Sequence, residues 1–155
     1  MSGGGGAYIE GGIVTFTDCN IHGNTAYGYG GGVYIHDSPV TFTNCVIHNN
    51  TAHGSLEMGW SRIDQSFGGG LIIRSDAEVT LNGCNIYKNT ADLGGGAFIQ
   101  TSRVMLSDCN IYQNTAKNKD YFSGKKLPGG GGAYIESSAT VTSINSKMYG
   151  NTGAL

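Results

Sequence analysis

An all-β solenoid, a parallel β-helix of five coils, is the fold this 155-residue sequence predicts, on the strength of two observations. One line recurs: "GGGVYIHDSPVTFTNCVIHNNTA", beginning at Gly30, returns in close variants from Gly4, Gly68, Gly94 and Gly130. Within each copy, apolar and polar residues alternate, as in Val14-Thr15-Phe16-Thr17, Val40-Thr41-Phe42-Thr43 and Val79-Thr80-Leu81-Asn82. That alternation is the period-two signature of a half-buried strand. A fixed repeat of roughly 20–50 residues marks units that bury their apolar faces only by stacking on one another. No stretch sustains a helical period, so the stacked units are strands.

The coils run 4–29, 30–67, 68–93, 94–129 and 130–155, and three of them are 26 residues long. Together they form one β-helix domain, 1–155. Three short strands are expected per coil, around Ala7-Tyr8-Ile9, Val14–Cys19 and Ile21–Asn24 in the first, separated by the Gly, Asp, Asn and Ser residues that favour turns. The phase of the alternation sets the interior columns: Ile9, Ile35, Ile73, Ile99 and Ile135; Val14, Val40, Val79, Val104 and Val141; Ile21, Ile47, Ile86, Ile111 and Met148. The triple glycines suit a corner that needs positive φ or lies too close to the next coil for a side chain. No Gly-Lys-Ser or Gly-Lys-Thr follows them, and Gly28-Tyr29-Gly30 opens no helix, which argues against a phosphate-binding loop.

Two further columns carry polar atoms inward. Asn24, Asn50, Asn89, Asn114 and Asn151, each followed by Thr, are placed to bond turn backbone and their counterparts in adjacent coils. Cys19, Cys45, Cys84 and Cys109 share one position, taken by Ser146 in the last coil. Parallel Cβ vectors suit a disulfide poorly and a single-file column cannot surround zinc, so these read as buried free thiols.

The motifs Gly5-Gly6-Ala7-Tyr8-Ile9 and Gly95-Gly96-Ala97-Phe98-Ile99, with Ile-x-x-Asn-Thr-Ala at Ile47–Ala52 and Ile111–Ala116, resemble those of the polymorphic outer-membrane-protein repeats, with Ile or Met at the Phe of that pattern. The resemblance covers all five units. It implies a right-handed parallel β-helix acting as a non-catalytic, adhesin-like passenger.

Composition narrows function further. Charged residues make up 13% of the chain and the net charge is −2, which provides no basic field for nucleic acid or for a membrane surface. The apolar runs are too short for a transmembrane helix, and Met1-Ser2-Gly3-Gly4 has neither the charged nor the apolar region of a signal peptide, so no compartment is assigned. No cofactor, metal or catalytic residue is expected. His22 and His48 stack on neighbouring coils without a third ligand in their column. Asp37, Asp76 and Glu78 gather in one turn where Asp is expected on local grounds.

Binding surfaces are expected outside the coil. One ring stripe, Tyr8, Tyr34, Ile72, Phe98 and Tyr134, and a second, His22, His48, Tyr87, Tyr112 and Tyr149, are expected to be exposed. Stacked rings stabilise a ladder in their own right, and a flat aromatic strip also suits a protein or a sugar. Insertions after Ala52 ("HGSLEMGWSRIDQSF", with Met58, Trp60 and Phe67) and after Ala116 ("KNKDYFSGKKLPG", with Tyr121 and Phe122) leave at the same phase and share one corner. They either pack back on the rod or form a contact lobe in which Trp and Tyr act as anchors. The terminal coils lack caps, which suggests a piece of a longer solenoid or a small subunit whose coil ends and loops other proteins cover. The leading expectation is thus a non-enzymatic scaffold in a complex. The second is a carbohydrate-binding or polysaccharide-processing solenoid using a Tyr stripe and the Asp37/Asp76/Glu78 turn. The third is ice binding through Thr15/Thr17, Thr41/Thr43 and Thr80/Asn82.

Overall fold

The computed structural model describes residues 3–54, 65–117 and 129–153. Their strands lie in four parallel sheets of five. The first sheet holds Ala7–Glu10, Val33–His36, Leu71–Arg74, Ala97–Ile99 and Ala133–Ile135; the second holds Val14–Thr17, Pro39–Thr43, Glu78–Asn82, Arg103–Ser107 and Thr140–Ile144. The third holds Asn20–His22, Val46–His48, Asn85–Tyr87, Asn110–Tyr112 and Lys147–Tyr149. Each coil visits the sheets in this order and each strand pairs with its equivalents one coil away, so the chain is a parallel β-helix. No helix among the described residues is long and apolar enough to cross a membrane.

A fourth sheet, made of Thr25–Tyr27, Thr51–His53, Thr90–Ala91, Thr115–Ala116 and Thr152–Gly153, corrects the expectation of three strands per coil. The chain bends at each asparagine and then resumes pairing for only two or three residues. That is too few for an alternation to register in sequence.

Turn chemistry repeats as faithfully as the strands. The corner between the second and third sheets is left-handed in all five coils, at Asp18, Asn44, Gly83, Asp108 and Asn145, with φ between 49° and 62°. Asp, Asn and Gly are the residues that enter this region most cheaply. At the glycine corner both suggested reasons operate: Gly30 has φ 57°, and a Cβ on Gly32 would come 2.6 Å from the Gly70 carbonyl oxygen of the next coil.

The interior columns stack in register: Ile9, Ile35, Ile73, Ile99 and Ile135 pair in sequence, as do the Val14 and Ile21 columns. Apart from the half-exposed Ile135 and Met148, they line one continuous core. The cysteines join it as free thiols, and each donates to the carbonyl two residues back in its own coil, Cys19 to Thr17, Cys45 to Thr43, Cys84 to Asn82 and Cys109 to Ser107, at 3.2–3.3 Å. Ser146 repeats the bond with its hydroxyl, donating to Ile144 at 3.0 Å. Burial drives the Cys45 thiol up, and contact with Cys109 together with burial raises Cys84.

The asparagine column is the polar spine of the rod. In each step the Oδ1 of the later Asn accepts from both the main-chain N–H and the Nδ2 of the earlier one, at 2.9–3.0 Å, from Asn24 through Asn151. Each Nδ2 from Asn50 onward also donates backwards, to the carbonyl of Ile21, Ile47, Ile86 or Ile111, at 2.9 Å. Buried amides are costly unless satisfied, and here those of Asn50, Asn89 and Asn114 are satisfied by the coils on either side.

Asn89→Ala removes four of these hydrogen bonds and strands the Asn50 N–H, so we expect a loss of about 3 kcal/mol. Asn24→Ala, at the end of the column, is expected to cost about 1 kcal/mol. Equilibrium denaturation of the two variants checks the ranking, and equal losses would contradict it.

Candidate docking surface

The outer face of the first sheet carries the first ring stripe, and here the structure departs from the expectation of an exposed strip. Tyr34 is only 7% exposed, Phe98 is buried and Ile72 is fully covered, whereas Tyr8 at the end of the rod is 50% exposed. The cover is a second apolar layer in which Tyr29, Phe67 and Leu93 pack on Tyr34, Ile72, Phe98 and Tyr134. The three covering residues each precede a left-handed glycine, Gly30, Gly68 and Gly94, and the reversal there folds them back over the sheet. Tyr29 stacks on Phe67 at 5.5 Å and meets Tyr34 edge-on at 6.1 Å, and Phe67 meets Phe98 edge-on at 4.8 Å.

The return from the first insertion is fastened to this layer. The buried Asp92 carboxylate accepts from the Ser66 N–H at 3.0 Å and the Ser66 hydroxyl at 2.9 Å, while the Asp92 N–H donates to Ser66 Oγ at 2.9 Å. Phe67 bridges Tyr29 and Leu93 in parallel register, which closes the second coil at Phe67. Met58 and Trp60 of the first insertion, and Tyr121 and Phe122 of the second, lie outside the described residues.

Beside the ring column runs a polar one that the sequence reading missed: Glu10, His36 and Arg74 pair in register on the same face. Gln100 and Glu136 continue it, Gln100 Nε2 donating to Glu136 at 2.9 Å. Tyr8 donates to Glu10 at 2.7 Å, and that carboxylate pushes the phenol's pKa up. The Arg74 guanidinium lies 5.6 Å from the centre of the Tyr29 ring. The signal was present in the residue two places after each ring, but its types differ from coil to coil, so it does not read as a column.

The second stripe is a continuous pile of rings on the outer face of the third sheet. His22, His48, Tyr87, Tyr112 and Tyr149 follow one another at 5.0, 4.8, 4.9 and 5.2 Å, with planes within 11°. Ring faces are therefore spent on one another and only edges point to solvent along the pile, which removes the flat surface that a sugar ring would stack on. Burial lowers the His48 pKa from its ordinary 6.5, with His22 and Lys88 adding repulsion.

The remaining candidates are not gathered into a site. Glu78 is held by Arg103 at 2.6 Å, and Asp37 and Asp76 occupy exposed left-handed turn positions. Among the described residues no three His, Cys, Asp or Glu side chains come together as metal ligands. The threonine face of the second sheet is interrupted by exposed Met105 and Ile144.

A parallel coil with stacked apolar columns, an asparagine spine and decorated outer faces defines a β-solenoid. The family model described as "Right handed beta helix region" matches residues 1–155, and the chain belongs to that family. Neither the search of curated proteins nor that of solved structures returned a match.

Because the His48 pKa is lowered on folding, the unfolded chain takes up the proton first. The stability tied to a neutral His48 is complete above 6.5 and is lost as pH falls toward the folded value. His48→Tyr keeps the ring pile and should flatten that acid-side decline, read as thermal midpoints between about pH 8 and about pH 5. An unchanged slope would show that His48 does not set it.

Proposed function

We propose that this chain is a non-enzymatic β-helical scaffold, a subunit that docks other proteins on the flank formed by the first sheet and the two insertions. The observation that carries this reading is the second apolar layer. A β-helix is held by its interior, yet this one builds Tyr29, Phe67 and Leu93 over an outer face, at the corner where both insertions leave. Aromatic residues seated beside long loops, with Arg74, His36 and Glu10 at the rim, match the composition of protein interfaces. The adhesin-like resemblance of the Gly-Gly-Ala-x-Ile and Ile-x-x-Asn-Thr-Ala motifs supports the same class of role. The carbohydrate reading has less support, since the ring faces of the third-sheet pile are occupied and Glu78 is paired with Arg103.

The test is chemical cross-linking followed by affinity capture with the wild-type chain, a Trp60→Ala/Phe122→Ala variant and a Thr41→Ala variant altered on the second sheet. Loss of captured protein in the first variant only is the expected result. Equal capture by all three would remove the lobe from the proposal, and cleavage or retention of a polyuronate would favour the carbohydrate reading.

A further inference from the structure

One cation in the polar column of the first sheet has no anion beside it. Arg74, in the third of the five coils, stands in register with His36 one coil back, and Gln100 follows on the other side, its N–H donating to the Ile73 carbonyl at 2.9 Å. The two carboxylates of the column are both engaged, Glu10 by the Tyr8 hydroxyl at 2.7 Å and Glu136 by Gln100 at 2.9 Å. The ion pairs among the described residues join His36 to Glu10 and Arg103 to Glu78, and neither includes Arg74. The Arg74 Nε–H is sealed from solvent and has no acceptor among the described residues. His36 Nδ1 is likewise sealed and without a hydrogen-bond partner, 3.8 Å from Glu10. A buried donor left unpaired costs free energy that an incoming acceptor returns. The neighbour that the guanidinium does have is a ring, Tyr29 at 5.6 Å, which belongs to the apolar layer over the sheet.

We infer that Arg74 anchors a carboxylate, supplied by an Asp or Glu side chain of the docked protein and flanked there by apolar residues that pack on Tyr29, Phe67 and Leu93. The inference rests on the docking role proposed above and names the chemistry of the partner. A guanidinium takes a carboxylate through two N–H groups side by side, and such charge-assisted pairs are roughly twice as strong as neutral hydrogen bonds. Arginine beside an aromatic patch is also the combination found at the energetic centres of protein interfaces. Charge placement selects among anions. Glu10 and Glu136 stand two coils to either side of Arg74, about 10 Å away along the rod. A polyanion lying along the column, whether nucleic acid or polyuronate, would bring further negative charges against both of them. One carboxylate on an apolar peptide segment meets the cation and avoids that repulsion.

Nuclear magnetic resonance titration of the 155-residue chain tests this, with acetyl-Leu-Glu-Leu-amide, its Gln counterpart and trigalacturonate as probes and the Arg74 Nε–H signal as the readout. Sealing from solvent slows exchange of that hydrogen, which keeps its signal observable. The Glu peptide is expected to shift it saturably at about millimolar concentration, and the Gln peptide to bind about tenfold more weakly. Arg103, which already holds Glu78, should not respond in step. Arg74→Lys keeps the charge but not the paired N–H groups, so it should bind the Glu peptide about fivefold more weakly, read at the Ile73 and Gln100 amides. Equal binding of the two peptides, no shift up to about 10 mM, an equal response at Arg103 or unchanged affinity in Arg74→Lys would each overturn the carboxylate anchor. Tighter binding of trigalacturonate than of the Glu peptide would overturn it too, in favour of the carbohydrate reading. The wild-type titrations decide the question even if Arg74→Lys does not fold. Docking as such is read separately. A failed titration beside capture that depends on Trp60 and Phe122 removes Arg74 and leaves the flank, whereas peptide binding beside capture that ignores those residues removes the lobe and leaves the anchor.

Discussion

One side chain repeated once per coil ties this rod together. A parallel coil closes its strands through neighbours in both directions, but strands of two to five residues separated by tight corners leave the relative height of successive coils weakly defined. The buried asparagines define it. Each has a fixed number of donors and acceptors and meets its quota only when the next coil is in step, since a shift by one residue would bury an unpaired amide. The isoleucine and valine columns supply the burial and tolerate small displacement. The amide spine does not, and it passes its register to the cysteine column, the ring pile and the corners.

That constraint decides what each outer face presents. Stacking in register turns like side chains into ladders, and a ladder of rings presents edges rather than faces, so the pile on the third sheet is a structural device along its length. The first sheet differs because residues just before the glycine corner fold back over it and create an apolar layer outside the coil. The second sheet presents threonines broken by methionine and isoleucine. The chemistry that the proposed docking would use therefore lies on the flank of the first sheet, where an apolar layer stands outside the coil.

Much of the fold was legible because the repeat multiplies every weak signal by five. A single Val-Thr-Phe-Thr is ambiguous, but five equivalents in phase establish a strand, an inward face and a stacking partner. The asparagine and cysteine columns were legible for the same reason. What escaped was what does not repeat in kind: the column from Glu10 to Glu136 uses Glu, His, Arg, Gln and Glu, and the Ser66–Asp92 clasp occurs once. The fourth strand escaped because Thr-Ala is too short to show a period. The buried state of Tyr34 and Phe98 escaped because alternation tells inside from outside but not whether an outer face is covered. Tyr29, Phe67 and Leu93 before their glycines were the available sign.

The most direct measurement of the central constraint is hydrogen exchange of the asparagine side-chain amides by nuclear magnetic resonance. If the spine sets the register, the Nδ2 hydrogens of Asn50, Asn89 and Asn114 exchange orders of magnitude more slowly than those of an exposed amide such as Asn44, and only on opening of the whole coil. Side-chain amides at these three positions that exchange as fast as that of Asn44 would contradict the account.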